Sequence, residues 1–319
     1  MNPDKWAERH TEFRAALDAD QVECRAMLEG LASVEAGMED ERISGMVDDQ
    51  LVDAGNSWAE RQAVLESLSS SISEELARRS AVMKDAYPFV VSGGSLAYSP
   101  SKTGVYEFCL AVARNPKGTS EGKPHASTVF EWIARDVLAL HIGTGARGFR
   151  TGWPPHESEG RGTRTKETFE LLSKQCGEFI WDPQQYLPND PPPKLLKDAG
   201  LDVVVWKPWP DGRLAQLFAL GQCACGKNDI DENKARELSI ERLERWLRPL
   251  CLTKPLRCFL AAHHIPNTCH LYDLSRDGGL VFDRARLAML AESTPEAVAT
   301  NAGIDYHVLA AFYANQQAA

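Results

Sequence analysis

The chain of 319 residues has no apolar run that approaches the roughly 18 residues a membrane-spanning helix needs. The N-terminal MNPDKWAERH also lacks the basic and apolar regions of a secretion signal, so the expected location is the cytoplasm, with no membrane partner. Its eight cysteines, at 24, 109, 176, 223, 225, 251, 258 and 269, have no regular spacing, which argues for free thiols rather than a disulfide framework. His263, His264, Cys269 and His270 crowd together, yet neither a CxxC nor an HxxxH pair occurs among them, so a zinc site is set aside. There is no internal repeat and no low-complexity segment.

What is present begins with an uneven charge. Residues 1–85 contain 19 acids and 9 bases, which accounts for the whole net charge of −10, while the other 26 acids and 26 bases cancel. A chain of this length can bury a large core and divide into two units. We expect an acidic helical domain at 1–85 and a second domain at 86–319. In the first, Trp58, Leu65, Leu68, Ile72 and Leu76 recur near helical spacing and form one apolar stripe. The unit reads as a solvated acidic face over an apolar seam rather than a catalytic element; as an acidic helical unit repels phosphate, its functional reading is a surface for a protein partner or self-association.

Beyond Tyr87-Pro88-Phe89 the pattern changes. Residues 90–98 read as a strand interrupted by Gly93-Gly94, and 105–113 as a short apolar helix or strand. Ser127 or Thr128 can cap a helix that runs to about His141, with Glu131 in its first turn. Then comes the most basic stretch, a glycine- and proline-containing segment with Arg147, Arg150, Arg161, Arg164 and Lys166 set against Glu157 and Glu159. Such a segment serves as a solvated loop, and flexible backbone with forked guanidinium donors is also what phosphate binding requires. Residues 168–179 read as an amphipathic helix and 181–193 as a proline-rich connector.

The segment KDAGLDVVVWKPWPDGRLAQLFALGQCACGKN, residues 197–228, holds two apolar runs, 201–206 and 214–221, separated by turn-forming Pro208, Pro210, Asp211 and Gly212, which predicts a β-hairpin. Asp202 lies within the first run and Gln222 closes the second. Polar groups among β-branched and aromatic residues are costly to desolvate, so the pair marks a strand end opening on water or a metal site. A helix is predicted over 231–247, a buried strand over 256–262, an ion pair of Asp283 with Arg284 at the next helix start, and a last helix from Ser293-Thr294-Pro295-Glu296 towards Tyr313.

Helix with Glu131, strand with Asp202, turn, strand ending at Gln222, then helix: this order resembles the core of the restriction-endonuclease-like superfamily, called PD-(D/E)xK nucleases after their motif. The resemblance covers about residues 85–290. It implies an α/β (α+β) fold with a mixed sheet flanked by helices, preceded here by the helical N-terminal domain. In that family an acid from the first helix, an Asp on one strand and a Glu or Gln on the next converge on a divalent metal, and a lysine two residues further along assists the attacking water. By that resemblance Mg²⁺ or Mn²⁺ would be held by Asp202, Gln222, the carbonyl of Cys223 and Glu131, with Arg147, Arg150, Arg161, Arg164 and Lys166 on nucleic-acid phosphates. The chain departs from the pattern at Ala224, where the lysine belongs. Lys227 or Lys234 would have to replace it, with Lys197 and Asp198 as lesser candidates. The strings YPF, GLDVVVW, FALGQCACG and FDRAR also look like an uncharacterised bacterial family associated with phage defence. The implied function is metal-dependent cleavage of nucleic acid, DNA above RNA, and the alternative is a degenerate sensor that binds nucleic acid or a phage protein without cutting.

Overall fold

The computed structural model describes residues 3–34, 58–116, 118, 122–183, 200–226, 230, 234–298 and 304–316. In chain order, α1 (Pro3–Glu29) leads directly into β1 (Leu31–Ser33), and α2 (Trp58–Met83) packs against α1. Next are β2 (Phe89–Ser92), β3 (Ser95–Tyr98), α3 (Val105–Arg114), α4 (Ala126–Ile142), β4 (Arg147–Arg150), α5 (Thr165–Cys176), β5 (Val203–Lys207) and β6 (Leu217–Ala224). The chain continues through a short α6 (Ile240–Leu243), β7 (Leu256–Ala261), α7 (Thr268–Gly278), β8 (Leu280–Phe282), α8 (Arg284–Ser293), α9 (Pro295–Val298) and α10 (Tyr306–Asn315). No described helix is long and apolar enough to cross a membrane.

The main sheet has the order β4-β5-β6-β7-β8, antiparallel from β4 to β6 and parallel from β6 to β8. It is a mixed sheet with helices on its faces. Val203 and Val205 of β5 and Ala219 and Cys223 of β6 face the larger apolar cluster, which includes Val129, Ile133 and Leu138 of α4. Val204, Trp206, Phe218 and Leu220 face a second cluster with Phe169, Leu172, Leu243 and Trp246. Both faces of β5 are covered, which is why its sequence is a continuous apolar run rather than an alternation. A small sheet, β1-β3-β2, closes the other end of the larger cluster.

Most predicted elements form, with shifts that have local causes. Residues 89–98 make a hairpin, because Gly93 and Gly94 both take positive φ. Helix α4 starts at Ala126, with the His125 ring accepting from the Ser127 N–H, so Glu131 lies in its second turn and not its first. The helix expected over 231–247 is a correction among its described residues: only the turn Lys234–Arg236 and the four-residue α6 are helical. Leu238 N–H is drawn to the Gln222 side chain, and Ser239 then caps a new start by accepting from Arg242 N–H. Of the apolar stripe on α2, Ile72 and Leu76 are buried and Leu65 and Leu68 pack against the same cluster, while the Trp58 side chain lies outside the described residues.

The division expected at residue 85 is crossed by both apolar and ionic contacts. Ala19, Val22, Ile72 and Leu76 belong to the cluster that also holds Phe108, Phe130 and Leu287. Arg79 of α2 donates to Asp20 at 2.7 Å and to Glu75 at 2.7 Å, and pairs with Glu23 at 2.9 Å. Asp283 caps α8 through Arg286 N–H, and Arg284 reaches back to Asp20 on α1 instead of pairing with Asp283. Tyr87 and Tyr106 hydroxyls donate to Glu23 at 2.6 and 2.8 Å. Burial works against the Asp20 charge, yet Arg284 and Arg79 hold its carboxyl well below the usual range.

Candidate functional site

Asp202 stands immediately before β5, half-buried, at the end of the sheet where β6 finishes. Its carbonyl accepts from the Thr151 and Gly152 N–H groups at 2.7 and 3.1 Å, and its own N–H donates to Gly221. The Cys223 N–H donates to Asp202 Oδ2 at 2.7 Å. Backbone and carboxylate are thus fixed by different neighbours. The Cys223 thiol is buried and pushed well above its ordinary pKa, first by desolvation, then by the negative charges of Asp202 and Glu131, with Lys234 opposing.

Glu131 comes from α4 and is buried. Its Oε2 accepts from Arg150 Nε at 2.5 Å. Arg150 also donates to Thr128 Oγ1 at 3.3 Å, to the Pro154 carbonyl at 3.0 Å and to Glu159 at 3.0 Å. Arg161 donates to Glu159 Oε2 at 2.7 Å, to the Thr151 carbonyl at 3.2 Å and to the Gly152 carbonyl. Trp132 Nε1 donates to Glu159 at 2.8 Å. Burial opposes ionisation of Glu159, but Arg150 and these hydrogen bonds hold its carboxyl below the usual range.

Several expected roles change on this geometry. Arg150 and Arg161, read as phosphate-facing cations, turn inward with their side chains 1% and 2% exposed. Of the five cations in that stretch, Arg147, Arg164 and Lys166 are exposed, and Lys166 lies 3.6 Å from Glu170. Gln222 is buried within β6 rather than at its end: its amide oxygen accepts from Leu238 N–H at 3.1 Å and its nitrogen donates to Glu237 at 3.0 Å. Lys234 is half-buried in the turn after β6. Lys197, Asp198 and Lys227 lie outside the described residues.

Sequence reasoning missed Glu159, Thr151, Gly152 and Glu237. The two acids inside the arginine-rich stretch were the available signal, since acids there neutralise their neighbours. Nothing in the sequence marks Gly152, where a Cβ would collide with the Glu131 carboxylate. The histidines also have structural partners. His263 Nε2 lies 3.1 Å from the Cys225 carbonyl, and His264 lies 3.1 Å from Asp283 and 3.4 Å from Glu75.

Among the described residues no group of three or more His, Cys, Asp or Glu side chains could hold a metal ion. The oxygen chemistry at Asp202 still fits a hard cation, because Mg²⁺ commonly takes one or two carboxylates and keeps several waters. Glu131, matched to Arg150, and Gln222, matched to Leu238 N–H, are engaged elsewhere. No protein-family model matches the chain, and comparisons with curated proteins and with solved structures return no match.

Proposed function

We propose that the chain is a divergent restriction-endonuclease-like nuclease that hydrolyses phosphodiester bonds in nucleic acid, DNA above RNA, in bacterial anti-phage defence or restriction. The observation that carries this reading is the half-exposed Asp202 at the start of β5, its carboxylate held by Cys223 N–H at 2.7 Å across the β5–β6 pair. Glu131 on α4, Asp202 before β5 and Lys234 after β6 also follow one another in the chain order that the superfamily resemblance implies. Lys234 takes the place left by Ala224 as the cation of the site.

The chemistry follows from the residues. A phosphodiester repels hydroxide, and Mg²⁺ or Mn²⁺ held by Asp202 and the Cys223 carbonyl would supply the charge that shields it. Asp202 is oriented for that task by Cys223 N–H, and the residue is half-exposed at the end of the sheet. Lys234, with three N–H donors, would orient the attacking water or the departing oxygen. Arg147 and Arg164, both exposed, would meet flanking phosphates.

Purified protein incubated with duplex DNA, single-stranded DNA and RNA in Mg²⁺ or Mn²⁺ should cut at least one of them, and Asp202→Asn should cut none. No cleavage by the wild type under any of these conditions overturns the enzyme reading. A second reading is favoured by Gln222, a neutral amide committed to Leu238 and Glu237, and by Ala224. It is a degenerate sensor that binds nucleic acid or a phage protein, with residues 1–85 available to a protein partner or a second copy. Equal binding by wild type and Asp202→Asn, without cutting by either, would select it.

A further inference from the structure

We infer that Glu131 and Arg150 are positioning residues, acting on Asp202 through the backbone of Thr151 and Gly152, rather than a metal ligand and a phosphate contact. The inference rests on the nuclease reading for what Asp202 does, and on geometry for how it is held. Glu131 fixes the Arg150 guanidinium through Nε. The other guanidinium nitrogens fasten Thr128 on α4, the Pro154 carbonyl and Glu159. Glu159 in turn holds Arg161, which donates to the carbonyls of Thr151 and Gly152. The N–H groups of those same two residues hold the Asp202 carbonyl. Thr151 Oγ1 adds a bond of 2.5 Å to the Leu201 carbonyl. The route from Glu131 to Asp202 thus runs through hydrogen bonds and ion pairs, joined by the backbone of Thr151 and Gly152 itself.

Two further features fit this arrangement better than direct ligation. Gly152 lies against the Glu131 carboxylate so closely that a side chain there would collide with it, so this acid also meets protein backbone. A guanidinium at 2.5 Å on Oε2 places a fixed positive charge where a ligand would need to present its oxygen to a cation. Supporting groups of this kind typically change metal affinity or activity by about 10–100-fold when removed.

Three single variants test the connection: Glu131→Gln, Arg150→Lys and Gly152→Ala. The last changes no charge and pushes on the same contact. Hydrogen exchange followed by mass spectrometry needs no activity, and it should speed up in all three variants, both in peptides spanning 150–152 and in those spanning 221–224, where Cys223 N–H binds Asp202. Cleavage assays add the second arm: each variant should lower kcat by about tenfold or more while the Mn²⁺ concentration for half-maximal rate moves less than about threefold. Glu131→Gln combined with Arg150→Lys should be no worse than the stronger single change, because both lie on one line of contacts. Unchanged exchange at 221–224 overturns the inference. So does a large rise in the half-saturating Mn²⁺ concentration for Glu131→Gln alone, which is the mark of a direct ligand. If the wild type cuts nothing, the nuclease reading fails while the exchange result still decides the positioning.

Discussion

Among the described residues, two buried assemblies of carboxylates and guanidiniums differ in what lies beside them. Where α1, α2 and α8 meet, Asp20, Glu23 and Glu75 surround Arg79, and Arg284 joins through Asp20; all five side chains are at most 7% exposed. Tyrosine hydroxyls complete the set, and burial together with Glu23 pushes the pKa of Tyr87 and Tyr106 well up. Beside α4, Glu131 and Glu159 surround Arg150 and Arg161 in a similar way, but the chain they fasten leads to half-exposed Asp202. Their outer side borders a cavity of about 620 Å³ that is also lined by Trp132, Arg135 and His156. Buried charge by itself therefore does not identify a functional site. The first assembly ties helices together, and the second fastens the backbone segment that holds the main chain of half-exposed Asp202.

The largest expected effect breaks the first assembly. Arg79→Met leaves three acids without their common partner and should cost about 3–5 kcal/mol of unfolding free energy, read from urea midpoints. Asp202→Asn should do the opposite in kind. The amide oxygen can still accept from Cys223 N–H, so stability should move by less than about 1 kcal/mol while cleavage is lost. A large stability loss in Asp202→Asn would erase the distinction between the two assemblies.

Acid should act mainly on the first assembly and its neighbours. Burial works against ionised Glu75, but Arg79, His264 and Arg78 lower its pKa; Asp283, also opposed by burial, is lowered by His264 and by backbone N–H groups. Folded values below the unfolded ones mean that this stabilisation is fully present above the ordinary carboxyl range near pH 4 and is lost as pH falls through the depressed values. Thermal unfolding should show little change from these groups between neutrality and about pH 5, then a steep decline below about pH 4. The smallest effect belongs to exposed cations. Arg147→Gln with Arg164→Gln should leave stability within about 0.5 kcal/mol, and should reduce the salt dependence of duplex binding by about 0.9 in log–log slope per phosphate contact removed.

Much of the site's framework was legible along the chain. The runs around VVVW and FALG read as adjacent strands because each is apolar and the turn residues between them stop both, and they do pair as β5 and β6. The cap expected at Ser127 or Thr128 placed Glu131 on a helix, and it lies one turn later than expected because His125 caps α4. The crossover was misread as one long helix since Leu238, Leu243, Trp246 and Leu247 keep helical spacing even though Gln222 and Ser239 interrupt the backbone. Arg150 and Arg161 were misread because a guanidinium looks the same in sequence whether it faces water or a buried acid.

The sequence by itself determined the order of apolar segments, the acidity of residues 1–85, the hairpin that brings Asp202 near Cys223, and the lack of a lysine at 224. Those properties depend on residue type and near spacing, which burial and turn preference read directly. The tertiary structure alone decided that Glu131 meets Arg150, that Gln222 is committed to Leu238, and that Arg284 crosses to Asp20. Ion pairs and hydrogen bonds act over a few ångströms, and packing brings those partners together from distant parts of the chain.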